Sequence, residues 1–201
     1  MSDPIVPMTP RFAEAFLLAE RLHRTQMRKK TQVPTISHLM AVTALVLENG
    51  GNEDEAIAAL LHDAAEDCGG RPVLEEIRRR FGDSVAAIVE DCSDTLESPK
   101  PRWQPRKEKY LQHLENAPES TLLVSLADKV HNTRSLAFEF RRVGDRLWQR
   151  FTATREQTFW YYRSLLAIFR RRCPERLEPL VDELATAFED LEALVCRGEA
   201  K

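Results

Sequence analysis

Apolar side chains recur at every third or fourth position along most of the chain, which is the spacing of an amphipathic helix. The first such run follows Thr9-Pro10, a capping hydroxyl before a helix-starting proline. A second run begins after Pro34 and ends at Gly50-Gly51. No segment alternates apolar and polar residues as a half-exposed strand would, and no repeat period is present. The pattern therefore predicts an all-α fold.

The third predicted helix, over about 53–68, is apolar nearly all round and should lie at the centre of the fold. Four polar side chains interrupt it: His62, Asp63, Glu66 and Asp67. Residues four apart lie on one side of a helix, so His62 stacks with Glu66 and Asp63 with Asp67. We expect these two columns to face one cavity, because buried polar groups need partners.

Further helical patterns follow, separated by one long loop over 93–105 that contains three prolines. We expect these helices at about 72–81, 85–92, 106–116, 120–140, 147–171 and 175–195. A bundle of about eight to ten helices results. At 201 residues one domain is the default, with a core of about 9–172 and a C-terminal helix of about 175–196.

Composition excludes several classes of partner. The chain has 29 basic and 32 acidic residues and a net charge of −3, so no overall field favours nucleic acid or an anionic membrane. No apolar run approaches the roughly 18 residues that a membrane span needs. The four cysteines form no CxxC pair and follow no signal peptide, as in a cytoplasmic protein with ordinary thiols.

The adjacent pair His62-Asp63 can give two ligands to one divalent ion, so other segments must complete the coordination. The candidates are His38, near the start of the second helix, and Asp128, which interrupts an apolar helical stretch. Two imidazoles and two carboxylates suit manganese, iron or zinc, and an octahedral arrangement favours the first two. The two other carboxylates of the third helix lie one turn beyond, where acid/base groups would have to be.

Together these residues resemble the hydrolase domain of the RelA/SpoT type within the HD superfamily. The likeness runs over about 24–142, includes Phe81-Gly82, and is greatest to the small stand-alone alarmone hydrolases. The length leaves no room for the synthetase and regulatory domains of the long enzymes. The resemblance implies an HD-domain helical bundle around a mononuclear metal site, which removes the 3′-pyrophosphate from ppGpp or pppGpp to give GDP or GTP with one Mn²⁺.

The resemblance also implies roles for single residues. It gives the metal ligands as His38, His62, Asp63 and Asp128, and the catalytic pair as Glu66 and Asp67. It gives substrate contacts to Arg28 and Lys29 before the first histidine, to Asn132 near the metal, and to Ser135 facing the guanine. Many members have Pro-Tyr before the first histidine and Pro after it, where this chain has Pro34-Thr35 and Leu39, which leaves the base preference open.

Two basic clusters, 24–30 and 102–109, stand out against the slightly acidic whole. Each is compatible with phosphate binding or with a solvated helix end. Lys107 follows the proline-rich loop together with Trp103, a position from which a cation and an aromatic ring can close over phosphates, and it is similar to a basic segment of the family. The sequence does not decide whether Lys129, Arg134 or Arg106 faces the site.

Three functions fit this reading. The favoured one is the ppGpp hydrolase, with a small-molecule nucleotide as its partner and an open oligomeric state. The second is an HD phosphohydrolase that acts on another nucleotide or on NADPH. The third is a non-catalytic nucleotide-sensing protein of the same fold, which is disfavoured because buried charges are costly to retain without a metal.

Overall fold

The computed structural model describes residues 8–29 and 31–199, and this part of the chain is helical almost throughout. Its α-helices are α1 (Pro10–His23), α2 (Ile36–Glu48), α3 (Glu53–Leu61), α4 (Ala64–Cys68), α5 (Arg71–Phe81), α6 (Asp83–Cys92), α7 (Trp103–Leu114), α8 (Glu119–Val143), α9 (Arg155–Arg172) and α10 (Glu178–Glu199). Two 3₁₀ helices cover Gly144–Arg150 and Glu175–Leu177. No strand is present in 8–29 or 31–199, so the all-α prediction is confirmed.

The predicted single helix over 53–68 is wrong, because the chain breaks it into α3 and α4 at His62 and Asp63. Nδ1 of His62 lies 2.8 Å from the carbonyl oxygen of Ala59. That carbonyl is the acceptor that the amide of Asp63 would use in an unbroken helix. A side chain thus takes a backbone acceptor, and the helix ends there.

The predicted helix over 147–171 is also two elements. Gly144–Arg150 is a 3₁₀ helix, and α9 begins only after Thr154. The Thr154 hydroxyl accepts from the amide of Gln157, and the Gln157 side chain accepts from the amide of Thr154. This capping box fixes the start of α9.

The loop after α6 is shorter than predicted, because α7 begins at Trp103 and not at Arg106. Pro105 lies in the first turn of α7, where a missing N–H leaves no helical hydrogen bond unmade. The final helix begins at Glu178, after the short 3₁₀ turn.

The central position predicted for the third helix is confirmed for α3. Residues 56–61 of α3 are at most 1% exposed, and α3 packs against α1, α2, α6 and α8. The C-terminal helix α10 packs along α8 and contributes Leu184 and Phe188 to the same core. The end of α3 therefore points between α2 and α8, the helices that carry the other predicted ligands.

Within the described ranges, no helix combines the length and apolar character needed to cross a bilayer. The four cysteines are free thiols, and Cys196 is the exposed one.

Candidate metal centre and substrate cavity

Three helical segments bring two imidazoles and one carboxylate together at the centre of the fold. His38 lies in the first turn of α2, His62 directly after α3, and Asp128 in the middle of α8. One ligand atom of each lies within 4.8 Å of the other two. Oδ1 of Asp128 is 3.1 Å from Nε2 of His38 and 3.6 Å from Nε2 of His62. The structure thus brings together three of the four predicted ligands.

Asp63, the fourth predicted ligand, lies at the edge of this cluster, outside the set of mutually close atoms. Its Oδ1 is 3.4 Å from Nε2 of His62, and its Oδ2 is 3.6 Å from Nε2 of His38. Its side chain is 30% exposed, against 1% for His38. Asp63 therefore faces the cluster from the open side.

The two imidazoles present unpartnered nitrogen atoms to the cluster. Nε2 of His38 and Nε2 of His62 are buried, and neither has a hydrogen-bond partner among the described residues. Each ring uses its other nitrogen elsewhere, at Ala59 for His62 and at His131 for His38. Buried nitrogen atoms without partners are costly, and a divalent cation between them and two carboxylates would satisfy them. The residues therefore fit a divalent metal ion.

The carboxylate of Asp128 is held at both oxygens. Nζ of Lys129 lies 2.5 Å from Oδ2, and Nδ2 of Asn132 donates to Oδ1 at 2.5 Å. Arg28 in turn donates to Oδ1 of Asn132 at 2.5 Å. Burial opposes ionisation, but the charge of Lys129 and the two neighbouring imidazoles hold the pKa of Asp128 well below its usual range. Asp128 is therefore an oriented anion.

The histidines differ in charge. Burial alone would lower the pKa of His62, but the nearby carboxylates of Asp63 and Asp128 outweigh it and raise this pKa to about 9. Burial dominates at His38 and lowers its pKa. Burial and the neighbouring His38 lower the pKa of His131 to about 4, so that ring is neutral at pH 7.

The predicted acid/base pair, Glu66 and Asp67, lies on α4. A lysine from the loop between α6 and α7 holds both carboxylates. Nζ of Lys100 is 2.8 Å from Oε1 of Glu66 and 2.7 Å from Oδ1 of Asp67. The backbone amide of Asp94 donates to Oε2 of Glu66 at 2.9 Å. Sequence reasoning missed Lys100, and its only signal was a basic residue between two prolines in the loop.

A cavity of about 1060 Å³ opens beside the cluster. All five predicted substrate contacts line it: Arg28, Lys29, Lys107, Asn132 and Ser135. So do Asp63, Glu66 and Asp67, but His62 is buried behind the wall at 3% exposure. The sequence predicted that His62, Asp63, Glu66 and Asp67 all face one cavity. This prediction is wrong for His62, because the helix breaks at that residue.

The sequence did not decide which of three cations faces the site: Lys129, Arg134 or Arg106. All three line the cavity, and each has an acidic partner. Lys129 pairs with Asp128, Arg134 with Glu183, and Arg106 with Asp94 at 2.5 Å. Lys107 also pairs with Asp94 and lies 4.7 Å from the centre of the Tyr161 ring. Lys30, the last residue of the first basic cluster, lies outside the described residues.

Two relatives are more than 30% identical to this chain over the regions that match. The guanosine-3′,5′-bis(diphosphate) 3′-pyrophosphohydrolase MESH1 of Xenopus tropicalis is 37% identical over 126 residues, which are 61% of this chain and 68% of that protein. The GTP pyrophosphokinase of Streptomyces coelicolor is 34% identical over 126 residues, which are 62% of this chain but 14% of that protein. This chain therefore spans about two thirds of the first relative and a small part of the second.

A solved structure of a metazoan ortholog of SpoT that hydrolyzes ppGpp superposes with a TM-score of 0.69 at 26% identity, over 92% of this chain and 96% of its own. The family described as the HD domain matches residues 15–159. Since that match covers well over half of the sequence, this chain belongs to the HD domain family.

Proposed function

We propose that this protein is a metal-dependent phosphohydrolase that removes the 3′-pyrophosphate from ppGpp and pppGpp to give GDP and GTP. The observation that carries the proposal is the cluster of His38, His62 and Asp128, in which two buried imidazole nitrogen atoms without hydrogen-bond partners meet a carboxylate. Asp128 lines the same cavity as the carboxylates of Glu66 and Asp67. The relatives named as ppGpp pyrophosphohydrolases support the choice of substrate.

The proposed metal ligands are His38, His62, Asp63 and Asp128. Mn²⁺ is preferred to Fe²⁺ and Zn²⁺, because two imidazoles and two carboxylates with positions left open suit an octahedral ion. A divalent ion bound there would lower the pKa of a water molecule and offset phosphate charge.

Glu66 and Asp67 are proposed to move the protons of the reaction. Water attacks the phosphorus nearest the ribose, the bond from that phosphorus to the 3′ oxygen breaks, and pyrophosphate leaves the nucleoside. One carboxylate accepts the proton of the attacking water, and a proton returns to the 3′ oxygen. Lys100 holds both carboxylates at hydrogen-bond distance from one ammonium group, which orients them.

The cavity suits a polyanion although the whole chain is acidic. Among the described residues, eight arginines or lysines and six aspartates or glutamates line it, so the lining carries a net positive charge before any metal binds. We propose that Arg28, Lys29 and Lys107 contact phosphates, that Asn132 contacts substrate beside the metal, and that Ser135 faces the base. We also propose that one domain contains the complete site.

A substrate panel tests this function. The purified protein with Mn²⁺ is incubated with ppGpp, NADPH, GTP and a generic phosphodiester, and the products are quantified. We expect turnover to be fastest with ppGpp and to release GDP and pyrophosphate in equal amounts. The control is the double variant Glu66→Gln/Asp67→Asn, which should bind Mn²⁺ without turnover. A wild-type protein that prefers NADPH or GTP, or that binds Mn²⁺ without turning over any substrate of the panel, would contradict the proposal.

A further inference from the structure

The ring of His38 is fixed at one nitrogen by a second histidine. Nδ1 of His38 lies 2.7 Å from Nδ1 of His131, and the ring centres are 4.8 Å apart. His38 is 1% exposed, so no solvent reaches this contact from its side. His131 lines the cavity and lies on α8, three residues after Asp128. The same turn of α8 thus carries one proposed ligand, Asp128, and contacts a second, His38, through His131.

Two facing imidazole nitrogens at this distance share one hydrogen. If both carried a hydrogen the two would collide, and if neither did, two lone pairs would face each other. His38 must keep Nε2 free of hydrogen to bind a cation there, so its hydrogen belongs on Nδ1. His131 must then accept at Nδ1 and carry its own hydrogen on Nε2.

The other imidazole of the cluster is oriented differently. Nδ1 of His62 faces the backbone carbonyl of Ala59 at 2.8 Å, an acceptor that no substitution removes. His38 depends instead on a side chain. Outer-shell partners of this kind set both the tautomer and the direction of a metal-binding histidine.

We propose that His131 is a positioning residue, which accepts a hydrogen bond from Nδ1 of His38 and so directs Nε2 of His38 towards the metal. This inference rests on the metal site of the proposed function. His131 remains outside the set of ligand atoms, and its effect passes through His38.

Two substitutions distinguish loss of the hydrogen-bond acceptor from loss of the imidazole ring itself. His131→Leu removes the acceptor, whereas His131→Asn places an amide oxygen close to the position of Nδ1. The dissociation constant for Mn²⁺, measured by electron paramagnetic resonance of the free ion, should rise about 10- to 100-fold in His131→Leu. It should return towards the wild-type value in His131→Asn. His113→Leu, which removes a histidine paired with Asp91 on the surface, is the control and should not change it.

The tautomer itself can be observed in the unmodified protein. With diamagnetic Zn²⁺ as the probe, nitrogen-15 spectra should show the Nδ1 hydrogen of His38 protected from exchange, with a scalar coupling across the hydrogen bond between Nδ1 of His38 and Nδ1 of His131. This measurement decides the matter even if His131→Leu does not fold. Absence of this coupling in the Zn²⁺-loaded protein, or equal Mn²⁺ affinity in the wild type and His131→Leu, would overturn the inference alone. Absence of Mn²⁺ binding by the wild type would instead overturn the proposed metal site.

Discussion

Lys129 shows how a buried charge depends on a neighbouring charge of opposite sign. Its side chain is 11% exposed, its Nζ lies 2.5 Å from Asp128, and it sits 5.3 Å from the centre of the Tyr110 ring. Burial opposes the charge, but Asp128 raises the pKa of Lys129 well above its usual range. The pair is therefore ionised on both sides, and each charge is costly without the other.

We expect Lys129→Met to destabilise the metal-free protein by about 3–5 kcal/mol, because it leaves Asp128 buried without its cation. Mn²⁺ should recover part of this loss, since the ion supplies a new positive partner. Urea unfolding with and without Mn²⁺ measures both effects. Lys109→Met, at an exposed position of α7, is the control. A loss equal to that of the control would contradict the buried-pair account.

Arg28 is linked to the cluster through Asn132, which donates to Asp128. Arg28→Ala should raise KM for ppGpp on the order of ten- to a hundredfold with a smaller change in kcat, because a hydrogen bond to a charged group contributes about 1.5–3 kcal/mol. Steady-state kinetics provide the measurement. Arg24→Ala removes a nearby arginine that pairs with Glu20, and KM should stay unchanged. A fall in kcat at constant KM would show that Arg28 acts on the cluster and not on substrate.

At the scale of elements, apolar spacing and local end signals predicted α1, α2, α5 and α6 well. They did not predict the break at His62, because the apolar pattern continues across it and the cause is a side chain that binds a backbone carbonyl. The start of α9 was readable, since Thr154 and Gln157 have the spacing of a capping box. The long helical pattern on both sides concealed that signal.

Because the Thr154 cap separates the 3₁₀ helix from α9, its removal should weaken the junction. Thr154→Ala should destabilise the protein by about 1 kcal/mol, the usual cost of losing an N-cap hydroxyl. Thermal unfolding measures the change. Thr158→Ala, one turn further along α9, is the comparison and should have an effect within about 0.5 kcal/mol of zero. Equal effects of the two substitutions would show that the cap does not stabilise the junction.

At the scale of the whole molecule, polar residues that interrupt apolar helices were sufficient to find the cluster. His62 and Asp128 stood out because each interrupts an apolar helical stretch. Lys100, Asp94 and His131 could not be placed in the same way, since their contacts come from a loop and from neighbouring helices. Their positions depend on how elements pack, which spacing along one helix does not specify.

Manganese occupancy tests the central claim, that four side chains from three segments hold one divalent ion. Equilibrium dialysis followed by metal analysis should find about one Mn²⁺ per chain in the wild type and in Glu66→Gln/Asp67→Asn. Occupancy should be lost, together with ppGpp turnover, in Asp63→Ala and in Asp128→Ala. Full occupancy in the Asp63→Ala protein would contradict the ligand assignment, and no occupancy in the wild type would contradict the metal site itself.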